Sequence, residues 1–477
     1  MPATLKEFVL PGIYDYPPLL HCLWALFPLK RHLAVERWSS AAIDAMHAIV
    51  VYGFATYFYR SMAVAQDTSS LAFSSALIFI MSPALLTIGT GPRAYQGTPR
   101  TLGELLFTLT ACFAMVGYLK GGMIAYLLAA LCGSLLLLTS KFAVQVVAFF
   151  YAVFTLGTLS TYWLILLILN IFLALIISRG HYAKVAVGHI EHSRYYLHAI
   201  SKRFHLVAQR NNWQAFKQAL GILFKKPFEA AKRLFLHHSY THLLINHPLL
   251  YAILIVLFSK GHTHAHEMGS LLLLWIGAGV AAFLLTSLKP FLFLGEAERY
   301  LEYALLPQIL YLGTAIDLIS SMHLFLSYFG GLYLFFVTGF IYAYRKKAKS
   351  NPRFRELVNF LRHNDQIGNL LPIYLNDAVR LAFETEKGVA HFPANFRKKL
   401  MPFENFFEFY PKVYPFPNNN LRPLMKEYRI DTLYYSTDDL EKATSFGLVY
   451  NFDAFKTIFS NSQYTVLQPI PEPEMDR

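Results

Sequence analysis

The chain has 477 residues, of which 55% are hydrophobic and only 15% charged, with a mean hydropathy of +0.38. A soluble globular domain is about a quarter charged, so this composition excludes an ordinary soluble enzyme and reads as a polytopic membrane protein. The net charge of +13 is uneven: residues 179–242 carry eleven Lys/Arg against Glu191 and Glu229, interleaved with Tyr, Val, Ile and Phe, a pattern for anionic headgroups and not for nucleic acid.

Taken in order, residues 1–18 read as an outer-face loop, the remnant of a longer one, closed by Tyr14-Asp15-Tyr16-Pro17-Pro18. Paired prolines fix φ and remove two N–H donors, which suits a loop end or a first helical turn. The apolar run of 19–27 stops at Pro28, before the basic Lys30-Arg31-His32. Residues 19–178 are expected to form the first part of a transmembrane bundle, with spans near 41–59, 71–88, 102–118, 122–138, 142–158 and 161–177. Residues 179–242 are expected as basic helices in the headgroup plane. Residues 243–344 form the second part of the bundle, with spans near 243–258, 268–288, 301–320 and 323–343. With the 19–29 segment this makes about eleven crossings.

Alternation with the basic clusters inside puts the 179–242 block and the Arg345-Lys346-Lys347-Ala348-Lys349 run on the cytoplasmic face. It puts residues 1–18 outside, although no signal peptide is present to carry them there. The expectation that follows is a further transmembrane helix encoded upstream of Met1. Cys22, Cys112 and Cys132 lie in apolar runs and read as packing residues.

Residues 345–477 have a soluble composition. Helices are expected over 354–361, 377–387 (capped by Asn376), 424–429 and 453–459, and strands over 370–375, 389–392, 431–436 and 464–468. That alternation describes a small C-terminal α/β domain with a parallel sheet. The fold class is therefore an α-helical polytopic membrane protein with a small C-terminal α/β domain. No Gly-rich dinucleotide fingerprint is present.

Four constellations carry possible chemistry. Tyr14, Asp15, Tyr16 and His21 suit a sugar or lipid-linked phosphate, or else an aromatic belt at a helix start. Arg93 and Arg100, flanked by Gly and Thr, suit a phosphate clamp, or else positive-inside anchoring. Glu296, Glu298, Arg299 and Glu302 crowd a helix mouth where charges must pair or face a cavity; the expected contact is Arg93 or Arg100 with Glu296 or Glu298. A structural salt-bridge lock is the alternative there. His262, His264 and His266 alternate as ligands of a divalent metal ion would, or as a solvated loop. Asp44, His47 and Asp317 are intramembrane ionisable residues, which mark cavities or pathways.

The Tyr-Pro-Pro-Leu motif (Tyr16 to Leu19), the Ser-Pro-ended apolar helix (Met81-Ser82-Pro83) and the Arg-bearing loop (Arg93, Arg100) resemble integral-membrane glycosyltransferases of the GT-C class. Among these the chain is similar to bacterial relatives of the protein O-mannosyltransferases and the aminoarabinose transferases. Residues 428–435 resemble a helix-to-strand step in the α/β domain that ends many such bacterial chains. The resemblance implies an enzyme of the bacterial inner (plasma) membrane. It would transfer a sugar from a polyprenyl-phosphate carrier to an acceptor in envelope glycan or glycoprotein synthesis.

In the family an acidic residue of the first outer loop, after a first transmembrane helix, is base or metal ligand. This chain shows no such helix, and only Glu7 and Asp15 precede the Pro-Pro, so the catalytic candidate is Asp15. The cofactor this would admit is a divalent metal ion; the partners are membrane lipids and the polyprenyl-phosphate-linked sugar, with no nucleic acid. The rival reading is a transporter or flippase for a lipid-linked or anionic solute, with Asp44, His47, Asp317 and Glu298 as its pathway. A scaffold whose tail binds a partner is the third.

Overall fold

The structure is a computed structural model. It describes residues 9, 15–62, 67–85, 97–204, 211, 213–260, 267–315, 318–348, 351–374, 378–390 and 398–471. The chain divides into two compact units. One comprises Pro17–Val185 and Gln209–Ile341; the other comprises Met1–Tyr16, Ala186–Ala208 and Tyr342–Arg477.

The first unit is helical, and local signals set its helix ends. Asp67 caps Thr68–Met81 by accepting from Ser69 N–H at 3.0 Å. Thr98 caps Pro99–Lys120, which has Pro at its first position and ends on Gly121 at φ 63°; a left-handed residue past a helix end costs glycine little. Ser140 caps Lys141–Thr158. Among the described residues four helices are long and apolar enough to cross a membrane: Ala34–Ser61, Pro99–Lys120, Lys141–Thr158 and Glu267–Ser287. Counting each of two bent helix pairs as one span gives up to six, and four apolar helices of 10–17 residues remain. This is a polytopic membrane protein; the full-length spans among its described residues are fewer than the eleven expected crossings, several of them short. The 19–29 segment holds a helix of only six residues, Leu19–Trp24, about 9 Å long and far short of a bilayer. Cys22 on that helix is exposed, whereas Cys112 is buried.

Large rings fill the core of this unit. Phe107 lies 5.7 Å from Trp275 and 5.1 Å from Tyr303, and Phe154 lies 4.5 Å from Trp163. Trp275 donates to the Tyr303 carbonyl at 2.9 Å, so its one polar atom is satisfied where water is excluded.

The second unit is an α/β layer. Its five strands are β1 (Asn369–Pro372), β2 (Gly388–Val389), β3 (Thr432–Ser436), β4 (Phe455–Ser460) and β5 (Tyr464–Pro469), in the order β2-β1-β3-β5-β4. β1 runs parallel to β2 and β3, while β5 runs antiparallel to β3 and β4. The sheet is therefore mixed, not parallel, and the helix expected over 453–459 is the edge strand β4. The stretch 391–397 and the cap Asn376 lie outside the described residues. Side chains alternate across the sheet. Leu371, Leu433 and Leu467 join one core, and Leu370, Tyr434 and Val466 the other. Helices Phe403–Phe409, Leu421–Glu427 and Thr437–Ser445 contribute to the first core, and Pro352–Arg362 and Ala378–Thr385 to the second.

The boundaries differ from those expected. Residues 186–204 are not free interfacial helices: Tyr195, Ala199 and Ile200 are buried in the first core, with Tyr195 5.1 Å from Phe403 and 5.6 Å from Phe406. Tyr414 N–H donates to the Arg203 carbonyl at 3.0 Å. The N-terminal stretch belongs here too, since Val9 N–H donates to the Val389 carbonyl at 3.0 Å. A loop and a domain joined by a backbone hydrogen bond lie on one side of a membrane. The expectation that residues 1–18 and the tail occupy opposite faces does not hold.

Candidate functional site

Arg100 sits in the first turn of Pro99–Lys120 and is 8% exposed. Its Nε donates to Glu104, one turn on, at 3.1 Å, and its Nη2 pairs with Glu302 of the short helix Glu298–Glu302. A carboxylate 4% exposed needs such a partner, because an uncompensated charge in an apolar bundle is costly. The segments around residues 100 and 302 meet through Arg100 and Glu302, a pairing not named from the sequence, while the Arg93 half of the expected contact lies outside the described residues. Glu296 instead pairs with Arg299 on its own turn, and Arg299 lies over the Phe142 ring at 5.7 Å.

Glu298 shares a helix face with Glu302 at i,i+4 and is 5% exposed. It lies within electrostatic reach of His247, the residue at a break where Ser239–Asn246 and Pro248–Ser259 bend by 69°. His242 and Asn246, one turn apart on Ser239–Asn246, bond to each other at 3.2 Å. Asn246 and His247 are each 2% exposed, yet among the described residues Asn246 Oδ1 and His247 Nδ1 have no hydrogen-bond partner. None of these three residues was singled out in the sequence. The signal was present: His238, His242 and Asn246 recur at i, i+4, i+8 at the start of an apolar run, and all three are buried.

Asp15 is 1% exposed. Its carboxylate lies against Gly188 in helix His181–Tyr195, and a Cβ at position 188 would overlap it. Glycine inside a helix costs about 0.5–1 kcal/mol relative to alanine; the close approach of Asp15 is the physical reason for it here. Tyr16 is half-buried. His21, in Leu19–Trp24, stacks edge-on to Trp24 with centroids 5.5 Å apart, and burial lowers its pKa below the usual imidazole range.

Two intramembrane residues resolve differently. His47 Nε2 bonds Thr108 Oγ1 at 2.8 Å, tying two long helices together, while Asp44 is half-buried on the same helix. Tyr14, Arg93, His262, His264, His266 and Asp317 lie outside the described residues. Among the described residues no group of three or more His, Cys, Asp or Glu is arranged to hold a metal ion.

No family model matches the chain, and no curated protein does. Among solved structures it is similar to a crystal structure of ArnT from Cupriavidus metallidurans in the apo state, with a TM-score of 0.42 and 12% identity. The alignment covers 98% of this chain and 89% of that one. A likeness at that score carries no argument.

Proposed function

We propose that this chain is a membrane glycosyltransferase of the GT-C kind, moving a sugar from a polyprenyl-phosphate carrier onto an acceptor hydroxyl of the cell envelope. One observation carries the reading. Asp15, the acidic residue next to Tyr16-Pro17-Pro18-Leu19 in the stretch read as an outer loop, is shielded from water and seated on a glycine. A fixed carboxylate of this kind suits a general base.

Asp15 would take the proton of the acceptor O–H as that oxygen attacks the anomeric carbon of the donor. The bond from that carbon to the phosphate oxygen breaks, and polyprenyl phosphate leaves with the electron pair. Arg100, already shared by Glu104 and Glu302, is read here as a lock between helices and not as the phosphate clamp. The α/β unit, which includes Asp15, would then lie on the outer face.

The test is release of polyprenyl phosphate from a polyprenyl-phosphate hexose by the purified protein with an envelope-lipid acceptor. Asp15→Asn should slow it by about 10²–10⁴-fold, the usual worth of a general base, with thermal stability retained. Full turnover by Asp15→Asn would remove Asp15 from the mechanism. The transporter reading draws on the helix break beside Glu298, a feature of carrier sites; it predicts uptake by proteoliposomes with no sugar released.

A further inference from the structure

We propose that the helical hairpin formed by Trp213–Gly221 and Pro227–His237 is a docking surface for anionic phospholipid headgroups. The inference does not depend on the transferase reading, and it narrows the headgroup role expected of residues 179–242 to residues 213–237. The two helices pack against each other, and the foot of the hairpin is held at a defined depth. Ser239 N–H donates to Asn211 Oδ1 at 2.9 Å, and Asn211 Nδ2 donates to the Ser287 carbonyl at 3.1 Å. Ser287 closes Glu267–Ser287, one of the helices long enough to span a bilayer. The hairpin therefore leaves the bundle where a spanning helix ends, at the level of the headgroups. His238 closes the foot, edge-on to Phe216 with centroids 5.2 Å apart.

Packing in the hairpin is inverted for a surface that faces water. The small Ala219 and Ala230 are buried, while Trp213 is 66% and Phe224 96% exposed, with Leu220 exposed between them. Trp213 and Leu220, seven apart, share a helix face, and Phe224 follows in the turn. Large apolar side chains left outside together mark an interaction surface. The charges name the partner. Residues 213–237 hold Lys217, Lys225, Lys226, Lys232 and Arg233 against Glu229 alone. Glu229 already pairs with Arg233 at 2.6 Å and Lys226 at 3.8 Å. Among the described residues Lys217 and Lys225 have no acidic partner. Lys217 Nζ lies 5.6 Å from the centre of the Trp213 ring, so a cation and an indole share one spot. Tryptophan favours the membrane interface, and basic residues beside exposed Trp, Leu and Phe are drawn to anionic lipid. The depth of the foot favours lipid over an acidic protein.

The experiment places the full chain in nanodiscs of phosphatidylcholine, with or without phosphatidylglycerol, each carrying the same share of lipid brominated in its acyl chains. A fluorophore on Gly221→Cys, in a chain with its own three cysteines replaced, reports quenching by the bromines. A Cβ at position 221 meets nothing within 4 Å. Quenching should rise when phosphatidylglycerol is present and fall back in about 1 M salt, where the screening length is about 3 Å. Lys217→Gln and Lys225→Gln should each lower the ratio of docked to undocked hairpin about fivefold, and Phe224→Ser should remove the quenching. Because these side chains are exposed, all three variants should melt in detergent as wild type does. Quenching that is equal in the two lipids, or indifferent to both lysines, overturns anionic lipid as the partner. No quenching in either lipid overturns the membrane surface altogether. A variant that melts well below wild type does the same, since its side chain then packs within the protein.

Discussion

Arg100 and Glu302, 202 positions apart in sequence, form a buried ion pair that Glu104 shares. Removing the cation leaves two carboxylates without this partner, whereas removing Glu302 leaves Arg100 still bonded to Glu104. Arg100→Met should therefore destabilise by about 3–5 kcal/mol, the range for breaking a buried pair, and Glu302→Gln by less. Thermal melts in one detergent give the order, and the reverse order contradicts the shared pairing.

Gly188→Ala reverses an ordinary sign. In an open helix position this change stabilises by up to about 1 kcal/mol. At position 188 the new methyl meets the Asp15 carboxylate, so we expect destabilisation of about 1–3 kcal/mol, in the range for overpacking, together with lost sugar transfer. Chemical denaturation reads the first effect; a stabilised Gly188→Ala protein means Asp15 does not sit there.

Residues 345–477 alone should not fold into a native domain. Tyr195, Ala199 and Ile200 fill their core from a distant part of the chain. Burying the two large side chains, Tyr195 and Ile200, contributes about 1.5–3 kcal/mol each, comparable with much of a small domain's net stability. The isolated tail should bind a hydrophobic dye and show broad NMR lines, and a peptide of residues 186–204 added in trans should sharpen them. A well-dispersed spectrum from the tail alone rules this out.

The same unit fixes a parity. Because residues 1–16, 186–208 and 342–477 pack together, the chain must cross the membrane an even number of times between the first two segments, and again between the last two. Cysteines at Arg194 and Asn419, both exposed, should react with an impermeant maleimide from one side only, and from the same side. Labelling from opposite sides excludes the shared unit, while labelling from the inside alone removes the outer-face placement that the transferase reading requires.

Gln308 in Leu305–Ala315 is 0% exposed, and among the described residues neither of its amide atoms has a hydrogen-bond partner. A buried polar group in that state costs about 1–3 kcal/mol. Gln308→Leu should raise stability by a comparable amount in a thermal or denaturant melt. A lowered midpoint shows that the amide is bonded in solution.

What the sequence by itself determined is what depends on neighbours along the chain. The length and apolarity of the runs around 99–120, 141–158 and 267–287 announce helices fit for a bilayer. Strand β1 is legible as part of a short apolar run, and β3 and β5 as β-branched and aromatic runs between turn residues. What only the tertiary structure decided depends on distant partners. Residues 186–204 have the amphipathic, basic pattern of a headgroup helix, and that pattern is the same whether the apolar face meets lipid or the Phe403–Phe406 core. Phe455–Ser460 reads as a helix until β5 offers its edge, since strand pairing is a contact between segments. The i,i+4 spacing put Glu298 and Glu302 on one face. That Glu302 meets Arg100 is set by the rotation of that five-residue helix in its packing, which spacing along the chain does not fix.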